Sequence, residues 1–529
     1  MTNSLAEIAN SEVLFLTGTN TTENHPVIAI KMKQAVIEGG AKLIVADPRE
    51  IDMTRFAHIW LRHVPGTDVA LINGLMHVII EEGLYDEEYV RGRTEGFEEM
   101  REVLKRYTPQ FVEGITGVPQ ADLRKAARLY AGAERAAIFY AMGITQHITG
   151  TDNVKSLANL AMLCGNVGIE SGGVNPLRGQ NNVQGACDLG ALPNVFPAYQ
   201  QTANAEARKK FESAWKVSAL QGTPGLTVTE MIPAAAKGDI KALYIMGENP
   251  MVSDPDLKHV EEALKNLDFL VVQDIFLTET AQMADVVLPA ASFAEKDGTF
   301  TNTERRVQRV RKGVESPGQA RPDWEIIADL ASRMGYEMQY RSAEEIFREM
   351  IQLTPSYAGI SYKRLDKEGG IQWPCPTPKH PGTTYLHKDK FVRGKGLFHA
   401  IEFIPPAELP DKEYPLLLTT GRVLYHYHTG SMTRRDTGLN FRYPEGHVEM
   451  HPADAMDMGV ADGERVRIAS RRGRIEMPVM VTSRSLQGTV FIPFHFFEAA
   501  ANQLTNPVLD PIGKIPEYKV CAVKVAKIS

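Results

Sequence analysis

Cysteine is scarce. Four are present, Cys164, Cys187, Cys375 and Cys521, far apart and without a C-x-x-C pair. This spacing offers no recognisable cluster or zinc site, so buried thiols in a reducing cytoplasm are the expectation. Long apolar runs are missing as well, none approaching the roughly 18 residues of a membrane span. Residues 1–15 have neither the basic start nor the unbroken apolar stretch of a secretory signal. Basic residues are not in excess. A net charge of −7 argues against a nucleic-acid partner, because phosphate contacts need a basic surface. No low-complexity tract occurs.

What is there is a chain of 529 residues with 43% apolar content, enough to bury several cores. From residue 11 to about 179, apolar strand-like runs alternate with helical patterns. Helices are expected over 69–82 and 121–131, and a buried strand at Ala136-Ala137-Ile138-Phe139-Tyr140. The organisation expected is an α/β domain over 1–180, a second α/β domain over 181–345, a Pro-, Gly-, Lys- and His-rich connection over 346–410 without strong periodicity, and a C-terminal domain over 411–529. In that last domain short runs such as Leu416-Leu417-Leu418-Thr419 and Val490-Phe491-Ile492 are separated by turn signals, Asp462-Gly463 and Arg472-Gly473, which predicts a compact β-barrel.

Two stretches repeat one pattern. The first runs Val13-Leu14-Phe15-Leu16, Gly18-Thr19-Asn20, then Lys42 to Asp47, then Pro65-Gly66-Thr67-Asp68. The second runs Leu243-Tyr244-Ile245-Met246, Gly247-Glu248-Asn249, then Phe269 to Asp274, then Lys296-Asp297-Gly298-Thr299. The spacing from glycine to acid resembles that of dinucleotide-binding halves, and two nucleotide sites are expected rather than one. A strand-end carboxylate accepts hydrogen bonds from a ribose diol, and one at the later turn matches the N1–H and exocyclic amine of guanine. The competing reading is an ordinary doubly wound domain whose strand-end acids cap helices. No G-x-G-x-x-G follows either strand, which disfavours a plain nicotinamide dehydrogenase.

Three further segments concentrate polar chemistry. The 178–188 loop, Arg178-Gly179-Gln180-Asn181-Asn182-Val183-Gln184-Gly185-Ala186-Cys187-Asp188, cannot be buried unless its donors and acceptors have partners, such as a polar cofactor or anionic substrate. Arg178 suits a carboxylate through its planar fork of donors; pairing with an internal Asp is the alternative. The 421–435 segment packs His426 and His428 among hydroxyls and guanidiniums, a density suited to pyrophosphate and pterin contacts; a solvated loop is the alternative. Without a third ligand the two histidines are not assigned to a metal. The 295–309 stretch predicts a turn and an alternating edge strand whose arginines form a solvated face.

Taken together, Gly18 to Pro26, Asp47-Pro48-Arg49, Met142-Gly143-Ile144-Thr145-Gln146, the 178–188 loop and the 421–433 segment resemble the blocks of the molybdopterin oxidoreductase superfamily, and within it the catalytic subunits of molybdenum- or tungsten-dependent formate dehydrogenases. The resemblance runs nearly end to end. It implies two αβα dinucleotide-binding-like domains with a barrel of the double-psi type, two molybdopterin guanine dinucleotides, and formate oxidation to CO2. By that resemblance Gly18, Asn20, Asp47 and Asp68 would serve one guanosine and Gly247, Glu248, Gln273, Asp274 and Asp297 the other. Met142, Gly143, Gln180, Arg422, His428, Thr429, Ser431, Thr433, Asn502, Tyr518 and Lys519 would approach pterin or phosphate, and Arg178 would clamp formate. Implied partners are iron–sulfur, NAD-linked or ferredoxin-linked electron-transfer subunits.

The chain departs from the family where its members carry a [4Fe-4S] domain and a Cys or selenocysteine metal ligand, because neither precedes Met1 here. The expectation is a start assigned downstream of an in-frame UGA. The next is a split enzyme with cluster and ligand on a separate polypeptide. Either would leave the isolated chain inactive. Other readings are a different superfamily member such as an assimilatory nitrate reductase, and a cofactor-holding protein without catalysis.

Overall fold

The strand Val13–Thr17 (β1) is buried along its whole length, as a central parallel strand covered on both faces must be. In the computed structural model, which describes residues 1–528, it pairs in parallel with Lys42–Ala46 (β2) on one side and Ala136–Tyr140 (β4) on the other. Ile59–Leu61 (β3) and Val174–Pro176 (β5) complete a five-stranded sheet in the order β3-β2-β1-β4-β5. The strand period of two divides the core. Val13, Phe15, Ile44 and Ile138 face one cluster, while Leu14, Leu16, Leu43 and Phe139 face another.

Pro26–Ile37 (α1), begun by a proline whose fixed φ suits a first helical turn, lays Ile28 and Met32 on the second cluster. Asp68–Glu81 (α2), Gln120–Ala131 (α3) and Gly150–Leu163 (α4) cover the first with Leu71, Leu75, Leu123 and Leu157. The helices expected over 69–82 and 121–131 are thus present within a residue, and the 136–140 strand is as expected.

This sheet belongs to a unit formed by residues 1–177, 252–258 and 385–529. Its C-terminal part is a closed six-stranded barrel. Leu416–Gly421 runs parallel to Thr489–Pro493, and Val448–Met450 parallel to Arg474–Val481; Arg465–Ala469 and Cys521–Lys527 pair antiparallel. Alternate residues, Leu416 and Leu418, Val466 and Ile468, Val490 and Ile492, fill its interior.

Residues 178–251 and 259–384 form a second unit. Ala242–Met246 (β6), Phe269–Asp274 (β7) and Val286–Pro289 (β8) make a parallel sheet, β8-β7-β6. Ile245, Leu270 and Val272 point into a helical layer with Ile232, Val260 and Leu264, while Tyr244, Met246 and Phe269 are exposed. Gly298–Thr301 (β9) and Arg306–Val310 (β10) form a hairpin joined by Ile371–Gln372 (β11).

Two expectations need correction. The 346–410 stretch is not an unstructured connection: it contains the helices Ala343–Leu353 in most of its length and Tyr362–Glu368, and Phe347, Tyr357, Tyr362, Leu365, Ile371 and Cys375 build a core with Val307. Tyr362–Glu368 and Ile371–Gln372 are too short to show periodicity, whereas Ile346, Phe347, Met350 and Ile351 give Ala343–Leu353 a helical spacing that the sequence does display. Nor are the arginines of 295–309 uniformly solvated. Arg305 is buried, donating to the carbonyls of Trp373, Thr383 and Thr384. Its backbone is left-handed at the hairpin turn, with φ +66°, which breaks the alternation that would have placed it outward. Among the described residues no helix is long and apolar enough to cross a membrane.

Candidate functional site

In the first sheet the order reverses between β1 and β4, and ligands of open parallel sheets bind outside the carboxyl ends of strands at such a point. Gly18 follows β1 there with φ +56°. Its N–H donates to Ala46 O at 3.2 Å, and its carbonyl accepts from Gly143 N at 3.0 Å. A Cβ on Gly18 would lie 2.7 Å from Gly143 C, and one on Gly143 would lie 2.6 Å from Gly18 Cα. Only glycines allow the two turns to meet this closely.

Just beyond, the hydroxyls of Thr19 and Thr21 and both amide atoms of Asn20 are shielded from solvent without a hydrogen-bond partner among the described residues. Leaving such groups unmatched costs about 1–3 kcal/mol each, so the turn is built for a ligand that supplies donors and acceptors. Asp47 ends β2, accepting from Arg49 N at 3.0 Å; burial pushes its carboxyl up to about 6, against the pull of that hydrogen bond. From the barrel side Lys519 donates to Thr420 O at 2.6 Å. Burial, with the Arg422 charge, pushes its ammonium down to about 7, while Asp47 opposes the shift. A carboxylate, two cations and unmatched amide and hydroxyl groups suit a ribose and a phosphate, so the residues fit an anionic dinucleotide.

Residues 422–432, which hold both histidines, are turn and loop following the barrel strand Leu416–Gly421. Arg422 lies over the Phe494 ring at 5.2 Å. The imidazole of His428, edge-on to Phe494, is pushed down to about 4 by burial and by Arg422, which leaves it neutral at neutral pH. Thr429 and Ser431 pair at 2.8 Å, and Thr433 Oγ1 accepts from Tyr427 N at 3.1 Å. Asn502 donates to the carbonyls of Val252 and Ser253, both at 2.9 Å, and Tyr518 to Ser253 at 3.0 Å. These two side chains tether residues 252–258 in the structure. Asp68 is likewise engaged: His63 Nε2 lies 3.1 Å from Oδ1 and His147 Nε2 3.8 Å from Oδ2. Burial raises its carboxyl, but His63 prevails and holds it below the usual range. Met142 opens a one-turn helix after β4.

In the second unit Gly247 has φ +65° and donates to Gln273 O at 2.9 Å, the counterpart of Gly18 donating to Ala46. Each acceptor is the residue just before the acid of its copy, Asp47 or Asp274. The sequence repeat is therefore a structural one. Asn249 differs from Asn20: it donates to Glu279 Oε2 at 2.7 Å and accepts from Thr280. Gln273 donates to Asp323 Oδ1 at 2.8 Å, Asp274 accepts from Phe276 N at 3.1 Å and Asp297 from Lys312 N at 3.2 Å, while Glu248 and Gln180 are exposed. Arg178 is half-buried, its N–H donating to Thr303 Oγ1 at 3.1 Å and its Nη1 lying 3.9 Å from Cys187 Sγ.

Sequence reasoning passed over the ion pair of Arg49 with Glu449, the histidines flanking Asp68, and the hydroxyls around Asp188. Arg49 and Asp188 lie inside quoted motifs, but their partners, Glu449 and Tyr357, are 400 and 169 positions away and carry no local signal.

Residues 1–333 match the family "Molybdopterin oxidoreductase" and residues 416–522 the "Molydopterin dinucleotide binding domain". The chain is 54% identical to the F420-dependent formate dehydrogenase subunit alpha of Methanocaldococcus jannaschii, covering all of this chain and 78% of that one. It is 39% identical to the assimilatory nitrate reductase catalytic subunit of Bacillus subtilis, covering all of this chain and 76% of that one. Among solved structures, the acetylene hydratase of Pelobacter acetylenicus shares the fold with a TM-score of 0.77 at 24% identity, over 99% of this chain and 79% of that one.

Proposed function

This chain belongs to the molybdopterin oxidoreductase family, and from that premise we propose that it is the catalytic subunit of a formate dehydrogenase, or the larger part of one. The observation that carries this reading is the 54% identity, over the whole chain, to a formate dehydrogenase alpha subunit. Gly18, Asn20, Asp47, Lys519 and Arg422 would hold one molybdopterin guanine dinucleotide. The repeat around Gly247, Gln273, Asp274 and Asp297 would serve the second.

The bound molybdenum or tungsten cofactor supplies the acceptor for the two electrons released as formate becomes CO2 and a proton. The chain's own residues bind and orient. Arg178 can meet both oxygens of formate with parallel N–H groups, and its backbone is fixed by Thr303. His428, held neutral, can donate or accept a hydrogen bond without adding charge beside Arg422. Onward transfer would use an electron-transfer partner subunit. The relative's printed name makes F420 the first acceptor to assay, ahead of NAD and ferredoxin.

The test is formate-dependent reduction of a viologen dye by the complete enzyme from its native host, with nitrate reduction assayed in parallel. Nitrate is also a small planar anion, so Arg178 by itself does not separate the two substrates. Formate turnover supports the reading. Nitrate reduction without formate turnover overturns it. In the active enzyme Arg178→Ala should lower kcat/KM for formate by about a hundredfold or more, with metal content unchanged.

A further inference from the structure

The helix Val183–Asp188 (α5) that closes the Arg178 loop is tied at both ends by side chains. At its start Asn182 Oδ1 accepts from Thr301 N at 2.9 Å. At its end the buried Asp188 carboxylate accepts from Tyr357 OH at 2.5 Å, Tyr199 OH at 2.8 Å and Gln184 Nε2 at 2.7 Å. The Tyr357 and Thr301 hydroxyls meet at 3.0 Å, so the ring closes through β9, and the same hairpin holds the Arg178 backbone through Thr303.

Tyr199 is unusual within this ring. It is 40% exposed, yet it and Ala198 have φ of 57° and 63°, left-handed conformations that cost roughly 1–3 kcal/mol each in residues with a Cβ. The backbone distortion delivers its hydroxyl to Asp188, and its phenol lies within electrostatic reach of Arg178 and Cys187. Strain of this kind persists where surrounding contacts over-determine it.

We propose that Asp188, gripped by Tyr199, Tyr357 and Gln184, is a positioning residue for Arg178. By fixing α5 and Cys187 against the guanidinium it sets the orientation that receives the substrate carboxylate. This rests on the reading of Arg178 as the formate clamp. Removing the Tyr199 hydroxyl loosens the clamp without touching substrate, so substrate affinity should change more than turnover.

The experiment uses the complete holoenzyme, wild type beside Tyr199→Phe and Asp188→Asn. For Tyr199→Phe the expected result is a formate KM about tenfold higher with kcat within about twofold, the scale of one lost hydrogen bond to a charged group. The formate concentration giving half-maximal thermal protection should rise by the same factor, with metal content and ligand-free Tm unchanged. Asp188→Asn should shift both readouts further in the same direction. Unchanged formate KM and protection in Tyr199→Phe, beside a wild type that oxidises formate, overturns the inference alone, as does a loss of Tm with KM intact. A wild type that does not turn over formate defeats the reading of the site and this inference with it.

Discussion

Arg49 grips Glu449 with two parallel hydrogen bonds, Nε to Oε2 at 2.7 Å and Nη2 to Oε1 at 2.6 Å, joining the turn after β2 to the barrel strand Val448–Met450. Both side chains are buried, and the guanidinium also lies 4.0 Å from the Phe491 ring centroid. Removing Glu449 leaves the buried Arg49 with Glu23, 4.0 Å away, as its remaining ion-pair partner, and takes from Arg484 a carboxylate 3.3 Å away. Glu449→Ala should therefore destabilise this unit by about 3–5 kcal/mol, read as a drop in Tm by calorimetry, whereas Arg49→Met with Glu449→Leu should recover much of the loss. A single substitution as stable as the wild type would show that the pair does not brace the barrel.

The close approach of Gly18 and Gly143 makes a second, comparative expectation. Gly18→Ala meets both a left-handed φ and backbone atoms at 2.7 Å, whereas Gly247→Ala meets the unfavourable φ with nothing within 4 Å. The backbone penalty alone is about 1–2 kcal/mol. Gly247→Ala should lose about that much, and Gly18→Ala clearly more, with cofactor content falling too. Equal losses in thermal unfolding would mean that the contact relaxes freely.

Much of this was legible in the sequence because it is local. The Val13–Thr17 and Ala136–Tyr140 strands are continuous apolar runs, and the glycine turns mark where they end. The repeat around Gly18 and Gly247 was readable because strand, turn and acid recur in one order. What escaped was set by tertiary partners. Asp68 has the spacing of a base-reading acid, and its contacts with His63 and His147 are not announced by that spacing. Asn502 and Tyr518, expected near pterin or phosphate, also hold backbone carbonyls of residues 252–253, bonds that no local pattern announces. Spacing specifies where a side chain is attached, and only packing decides which group it meets.

Asn20 carries buried amide atoms without a partner among the described residues. Replacing such a side chain removes an unmet demand rather than a bond. In the cofactor-free chain Asn20→Ala should therefore leave stability unchanged or raise it, by up to a few kcal/mol. In the loaded enzyme the same substitution should lower pterin content and Tm. A large loss of Tm in the cofactor-free chain would mean that Asn20 serves the fold itself.

Lys519 and Asp47 give the first site a pH dependence whose sign can be worked out. The Lys519 ammonium sits at about 7 in the folded chain, below the ordinary 10.5. Between those values the unfolded chain binds more protons, so its contribution to stability is lowest below pH 7 and recovers as pH rises through 7 towards 10.5. Asp47, raised from 3.8 to about 6, acts in the opposite sense: its contribution is present at low pH and is lost as pH rises from about 4 to 6. A phosphate placed against Lys519 stabilises its charged form, so a nucleoside diphosphate should bind tightest below pH 7 and weaken as pH rises above it. At pH 8, where Lys519 is mostly neutral, binding must draw in a proton. Calorimetry of GDP binding to the cofactor-free chain at pH 8, in two buffers of different ionisation enthalpy, should therefore report uptake of close to one proton. Lys519→Met should abolish that uptake and weaken binding, while Asp47→Asn should leave the uptake in place and weaken the ribose contact. Zero proton uptake by the wild type would place the phosphate away from Lys519 and leave the ammonium a purely internal partner of Thr420 O.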